Sequence, residues 1–231
     1  MKISQIQIQN LYTFTRKHYV EYYDLQTELV DHLANDIEAM WQEQPQLSFE
    51  EAKTKAFKKF GVFGFMDAVE QKQKVMGKRY RYYLWKEFKT WFTIPQIVIT
   101  LTLFFVFFFA LTTNFAQHFS MFLYLSIGVW STYKSYTLIK VFKHKNKKWM
   151  LEDIIFRQAG GTVLVFLTQI HVFFTISDSP ITNSYKIVGL ALAFTVLVLI
   201  SYISLELLPS KAEKLLKDTY PEFYLKQMDY F

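Results

Sequence analysis

The chain has 231 residues, 52% of them hydrophobic and 19% aromatic, with 26 Lys and Arg against 20 Asp and Glu for a formal charge of +6. It has no cysteine, which excludes disulfides, Cys-ligated zinc, iron–sulfur clusters and thiol catalysis. The charge does not point to nucleic acid, because residues 1–91 hold 14 Lys and Arg against 12 Asp and Glu and the surplus falls on segments that border long apolar stretches.

Met1–Thr15 is polar, so no cleavable signal peptide is expected, and Gln5–Tyr19 reads as a first helix. From Asp24 the apolar residues Leu25, Leu29, Leu33, Ile37 and Met40/Trp41 recur every three to four positions with acids on the other face, the pattern of an amphipathic helix. Pro45 should stop it. Ser48 followed three residues later by Glu51 forms a capping box that opens another helix through Ala52, Ala56 and Phe60, with Gly61 placed to end it. A further helix is expected over Phe65–Met76. Residues 1–76 therefore read as a cytosolic three- to four-helix bundle with an aromatic core from Phe14, Trp41, Phe49, Phe57, Phe60 and Phe63.

Residues 77–91 read as a basic and aromatic juxtamembrane linker. Four apolar stretches follow, Phe92–Phe115, Phe119–Ile139, Ile154–Ile176 and Ile187–Leu208, each close in length to the ~20 residues that a helix needs to cross hydrocarbon. Lys and Arg precede the first and separate the second from the third, whereas Thr112–His118 has neither. The positive-inside bias then predicts a four-span domain over 92–208 with both termini cytosolic. Residues 209–231 read as a cytosolic tail with an amphipathic helix on the inner leaflet, and Tyr224, Leu225, Met228, Tyr230 and Phe231 as a docking end. The expected fold class is thus all-α, a bundle followed by four transmembrane helices, N-in/C-in, in a bacterial inner membrane.

The run Glu28-Leu29-Val30-Asp31-His32-Leu33, then Asp36-Ile37-Glu38, then Ser48-Phe49-Glu50-Glu51-Ala52-Lys53 and Lys58-Lys59-Phe60-Gly61 resembles the small helical domain called permease-prefix or HAAS-like. The resemblance covers Tyr22–Val69. It implies regulation or assembly at the cytosolic membrane face, alongside a transporter or a small transcription regulator, and it implies no catalytic residue. The chain as a whole is similar to small membrane proteins of Bacteroidetes-type bacteria.

Glu28, His32 and Asp36 stand at i, i+4 and i+8, so one helical face could present them to a divalent metal. Without a second His or Cys the ligand set is incomplete, and no metal or cofactor is expected. With Asp31 they are read instead as the surface for a protein partner. Lys134, Arg157 and Glu206 fall inside apolar stretches near their cytosolic ends, where a structural charge network, or a coupling site between bundle and membrane, is the reading. His118, Gln169, His171, Asp178 and Lys186 form a polar set at the opposite boundary, read as a shallow vestibule, as a proton-sensitive cluster that senses external pH or ions, or as simple interfacial residues. Gly160-Gly161, with Ala159 and Thr162, marks a close helix approach. No G-x-x-x-x-G-K-S/T run is present. The expectation is a noncatalytic membrane protein that touches anionic lipid headgroups, recruits a cytosolic or membrane protein, and has self-association open to it. The alternative is an auxiliary or permease-like transporter subunit.

Overall fold

Ser4 initiates the first helix, Gln5–Lys17 (α1): its hydroxyl accepts the Gln7 N–H, and the Gln7 side chain accepts the Ser4 N–H at 2.9 Å, a closed capping box. These positions come from a computed structural model that describes residues 2–175 and 184–220. The C-terminus of α1 closes without glycine. Tyr19 takes φ +64°, its N–H donates to the Arg16 carbonyl and the Val20 N–H to the Thr15 carbonyl, both at 3.1 Å, which is the Schellman arrangement.

Tyr23–Glu43 (α2) buries Leu25, Leu29, Leu33, Ile37 and Trp41, the stripe that the periodicity predicts. Beyond it the Trp41 indole donates to the Leu47 carbonyl at 2.8 Å and pins the Pro45 turn. Ser48 then caps Phe49–Lys58 (α3) with Glu51, and the Ser48 hydroxyl, its N–H and, to a smaller extent, Lys55 hold the exposed Glu51 carboxyl below its usual range. Lys53 is nearly buried. Its ammonium donates to Asn10 at 2.9 Å, pairs with Glu50 at 2.7 Å and sits over the rings of Phe14 and Phe49, so one cation joins α3 to α1.

The aromatic core differs from expectation at one position. Phe63 is exposed and Phe65 is buried, packing edge-on against Phe14, Phe57 and Phe60. Gly64 makes the exchange: it has φ +55°, and a Cβ there would meet the Phe57 ring at 2.9 Å. The bend turns Phe63 outward and Phe65 inward before Met66–Thr90 (α4) begins.

Two compact units emerge, residues 1–78 with 146–151 and residues 79–145 with 152–231. The return of 146–151 to the first unit has three causes. The Tyr23 N–H donates to the Lys148 carbonyl at 2.8 Å, the Trp149 ring packs on Tyr23 at 5.5 Å, and the buried Asp24 carboxylate accepts the Met150 N–H at 3.2 Å. Met150 is the first residue of Met150–Thr175 (α7), so Asp24 places a negative charge at the positive end of that helix.

In the second unit the remaining helices are Gln96–Leu111 (α5), Ala116–Lys143 (α6), Ser184–Tyr202 (α8) and Ala212–Thr219 (α9). A π turn, Ile203–Leu207, continues α8 into Leu208–Ser210. The described residues thus form nine helices and no strand. Buried residues of α5, α6, α7 and α8, among them Phe107, Ile127, Val163 and Phe194, make the core.

The four-span expectation is corrected here: among the described residues one helix, Ser184–Ser210 with 27 residues, is long and apolar enough to cross a membrane. The reasons are local. The first predicted span loses its start at Trp91–Pro95, where Pro95 offers no N–H to a helix, and α5 is left with 16 residues, about 24 Å against a hydrocarbon core of about 30 Å. α6 is long enough but carries Gln117, His118, Ser120, Ser131, Thr132, Lys134 and Ser135. α7 opens on Glu152 and Asp153 and carries Arg157 and Gln158 in its second turn. The N-in/C-in topology built on four spans falls with them.

Residues 77–90, expected as linker, are helical within α4. The tail helix is α9, and its apolar face does not rest on a leaflet: Ala212, Leu215 and Leu216 are buried, Lys211 pairs with Glu87 of α4 at 2.8 Å, and the Thr219 and Tyr83 hydroxyls meet at 3.4 Å. The docking end, Tyr224 to Phe231, lies outside the described residues.

Candidate functional site

The four acidic and histidine positions of α2 share an outward face. Asp31 and His32 are exposed, Glu28 pairs with Lys72 of α4 at 2.6 Å, and Asp36 pairs with Lys59 at 2.8 Å. Glu28 and Asp36 therefore contribute to holding α2 against its neighbours, which leaves Asp31 and His32 as the accessible pair between them. Among the described residues no group of three or more His, Asp or Glu side chains converges as a metal ion would require.

The second unit brings together two of its three predicted charges. Lys134 on α6 and Glu206 in the π turn of α8 meet at 2.6 Å, with side chains 31% and 36% exposed. Arg157 turns to Asp153, one turn earlier on α7, at 2.7 Å. Glu206 reaches Lys134 from a helix segment with one extra residue per turn, a local geometry frequent at functional positions. Pro209, three residues beyond Glu206, has no N–H for the Leu205 carbonyl, the partner an α-helix would assign it. Of the predicted polar set at the other end, His118 and Lys186 are exposed, and Gln169, His171 and Asp178 have side chains outside the described residues.

The small-residue patch is resolved into two unlike glycines. A Cβ on Gly160 would stand 2.0 Å from the Ser135 hydroxyl of α6, whereas one on Gly161 would meet nothing within 4 Å. Ala159 is buried and the Thr162 side chain lies outside the described residues. Of the two glycines, Gly160 is therefore the one whose missing Cβ makes room for Ser135 of α6.

Among the described residues of this unit, α5 and α6 each carry a stripe of exposed apolar side chains. On α5, Val98, Leu101, Phe105 and Phe109 are half or more exposed and follow one helical stripe; on α6, Met121, Phe122, Leu125 and Val129 do the same. Beside Leu125 and Val129, Gly128 opens a shallow apolar recess of about 620 Å³ flanked by Tyr124, Thr132 and Tyr136. The sequence carried this signal as hydrophobicity around the whole of α5, with no polar face for water. What it did not carry is which side the neighbours would leave open.

Comparison of the chain with protein-family models, with curated proteins and with solved structures gave no match.

Proposed function

We propose that this chain is a noncatalytic, membrane-associated protein in which the apolar second unit is held in lipid and the charged first unit recruits a protein partner in signalling or regulation. The observation that carries the reading is the uncovered apolar face of α5 and α6, together with a helix, Ser184–Ser210, long and apolar enough to cross a bilayer. In water, contiguous apolar surface of this kind is costly and drives association; in hydrocarbon it carries no penalty. Basic residues at the ends of the apolar helices, such as Lys140 and Lys143 in the last turn of α6, suit the anionic headgroups of an inner membrane.

For the first unit, the accessible Asp31 and His32, set between Glu28 and Asp36 whose carboxylates are paired with Lys72 and Lys59, support α2 as the partner face, and the likeness of Tyr22–Val69 to a permease-prefix or HAAS-like domain points the same way. The recess at Gly128 favours a second reading, an auxiliary subunit of a membrane transporter. A notch walled by bulky side chains admits the helix of another subunit at close range.

Two measurements test the proposal on the full chain. After an alkaline carbonate wash of native membranes the protein should stay in the pellet; release into the supernatant would remove the lipid half. Purification in mild detergent should yield a specific cytosolic partner that Asp31→Lys loses. A partner set indifferent to Asp31→Lys and His32→Ala would remove the other half, and a retained permease or ATPase would favour the transporter reading.

A further inference from the structure

Residues 79–90 of α4 belong to the second unit and present two unlike sides. Tyr80 is buried, the Tyr83 hydroxyl meets that of Thr219, and Glu87 pairs with Lys211, so this side is turned to α9. Arg81, Tyr82, Trp85, Lys86 and Lys89, at i, i+1, i+4, i+5 and i+8, share the other side and are all exposed, Tyr82 by 62% and Trp85 by 58%. The surroundings do not match the charge of that side. Among the described residues of the second unit, Glu87, Glu152, Asp153, Glu206 and Glu213 are each taken by a cation, by Lys211, Lys145, Arg157, Lys134 and Lys217 in turn, which leaves Asp218 as the one carboxylate outside a pair. No described carboxylate pairs with Arg81, Lys86 or Lys89; the Lys89 ammonium stands instead 5.8 Å from the centre of the Trp85 ring.

Ring contacts carry this side past the end of the helix. Trp85 stacks on Phe88 at 5.4 Å and Phe88 meets Phe92 edge-on at 5.2 Å. Phe92 is 48% exposed and Ile94 87%, and the exposed stripe of α5 begins at Val98. Along the chain the surface thus passes from cations through amphipathic rings to aliphatic side chains, the order met on going from the phosphate layer of a bilayer into its hydrocarbon. We propose that residues 81–94 bind the surface of an anionic phospholipid bilayer, with Arg81, Lys86 and Lys89 at the phosphates and Trp85, Phe92 and Ile94 below them. The proposal rests on the reading that the second unit is held in lipid and adds to it a preference among lipids. Charge complementarity names the occupant: clustered Lys and Arg attract anionic headgroups, and a lysine whose stem lies along an aromatic ring keeps its ammonium at the phosphate while the ring sits deeper. A nucleic acid or an acidic protein would answer the cations but would leave Phe92 and Ile94 in water.

The test uses the full chain in nanodiscs of phosphatidylcholine, with and without phosphatidylglycerol at about one lipid in three. The chain has no cysteine, so Thr90→Cys, at an exposed position beside this side of α4, gives one thiol for a bimane label, which a nitroxide on the headgroup of a tracer lipid quenches at close range. Headgroup quenching is expected, stronger by about twofold or more with phosphatidylglycerol. Arg81→Gln, Lys86→Gln and Lys89→Gln together should remove that difference, whereas Lys140→Gln with Lys143→Gln on α6 should keep it. Trp85→Ser, which retains all three cations, should weaken quenching in both compositions. Equal quenching in the two compositions, or a difference that survives the triple change, would overturn the proposal. A label at Leu101→Cys, on the α5 stripe, separates it from the reading it rests on: quenching there by an acyl-chain nitroxide with a silent label at Thr90→Cys would remove the headgroup face and keep the lipid-held unit, and silence at both positions would remove both. A soluble acidic protein that co-purifies with the chain and is lost with the triple change, while quenching stays the same, would give the face to a protein instead.

Discussion

Lys134 and Glu206 stand 72 positions apart in sequence and meet at 2.6 Å. Removing one partner leaves the other charge partly desolvated. Lys134→Met and Glu206→Leu should each lower stability by about 1–3 kcal/mol, and the double variant should lose less than the sum of the two. A double-mutant cycle by thermal or denaturant unfolding in detergent checks this; strict additivity would mean that the pair contributes no coupling.

Gly160 and Gly161 separate packing from helix propensity. Gly160→Ala forces a Cβ against Ser135 and should cost about 1–3 kcal/mol, whereas Gly161→Ala meets open space and should be neutral or stabilising by up to about 1 kcal/mol. Equal effects of the two changes would show that α6 and α7 do not need the contact.

Tyr19 closes α1 in the left-handed region with its side chain exposed, so the ring gains little while the Cβ is strained. Tyr19→Gly should raise stability by about 0.5–2 kcal/mol, read as a higher denaturant midpoint with unchanged slope. A loss of stability would mean that the ring makes a contact worth more than the strain.

The carboxyls of Glu51 and Glu70 lie below their usual range, Glu51 through Ser48 and Glu70 through Lys74. A carboxylate depressed in the folded state stabilises above its unfolded value and ceases to do so as pH falls through the folded one. Stability should therefore decline as pH is lowered from about 4.5, and Glu51→Gln, which keeps a capping box, should flatten that decline. An unchanged pH profile would deny the linkage.

Local signals were read best where a side chain completes its own turn. Ser48 and Glu51 announced α3, and the apolar stripe of α2 announced which residues would be buried. Lys134 and Glu206 were visible as charges in apolar surroundings, although nothing in the string told Glu206 to prefer Lys134 or Arg157 to prefer Asp153. The stop at Tyr19 was hidden because a glycine normally marks that conformation. Apolar length misled over the spans: a run from Phe92 to Phe115 looks continuous, yet Pro95 cuts it. Phe63 and Phe65 could be told apart only through the bend at Gly64. The pairing of Asp24 with Met150 spans 126 positions, and no periodicity records such a distance.

That pairing also governs what can be cut from this protein. Because residues 146–151 belong with the first unit, the backbone passes between the units at three places, after 78, after 145 and after 151. A gene fragment ending at codon 78 would encode a first unit lacking Lys147, Lys148 and Trp149, with Asp24 facing no helix start. A protease acting after Lys78 would leave residues 1–78 holding residues 146–151 without a covalent link between them. The two units are interleaved in the gene, and neither can be inherited, swapped or expressed as one uninterrupted stretch.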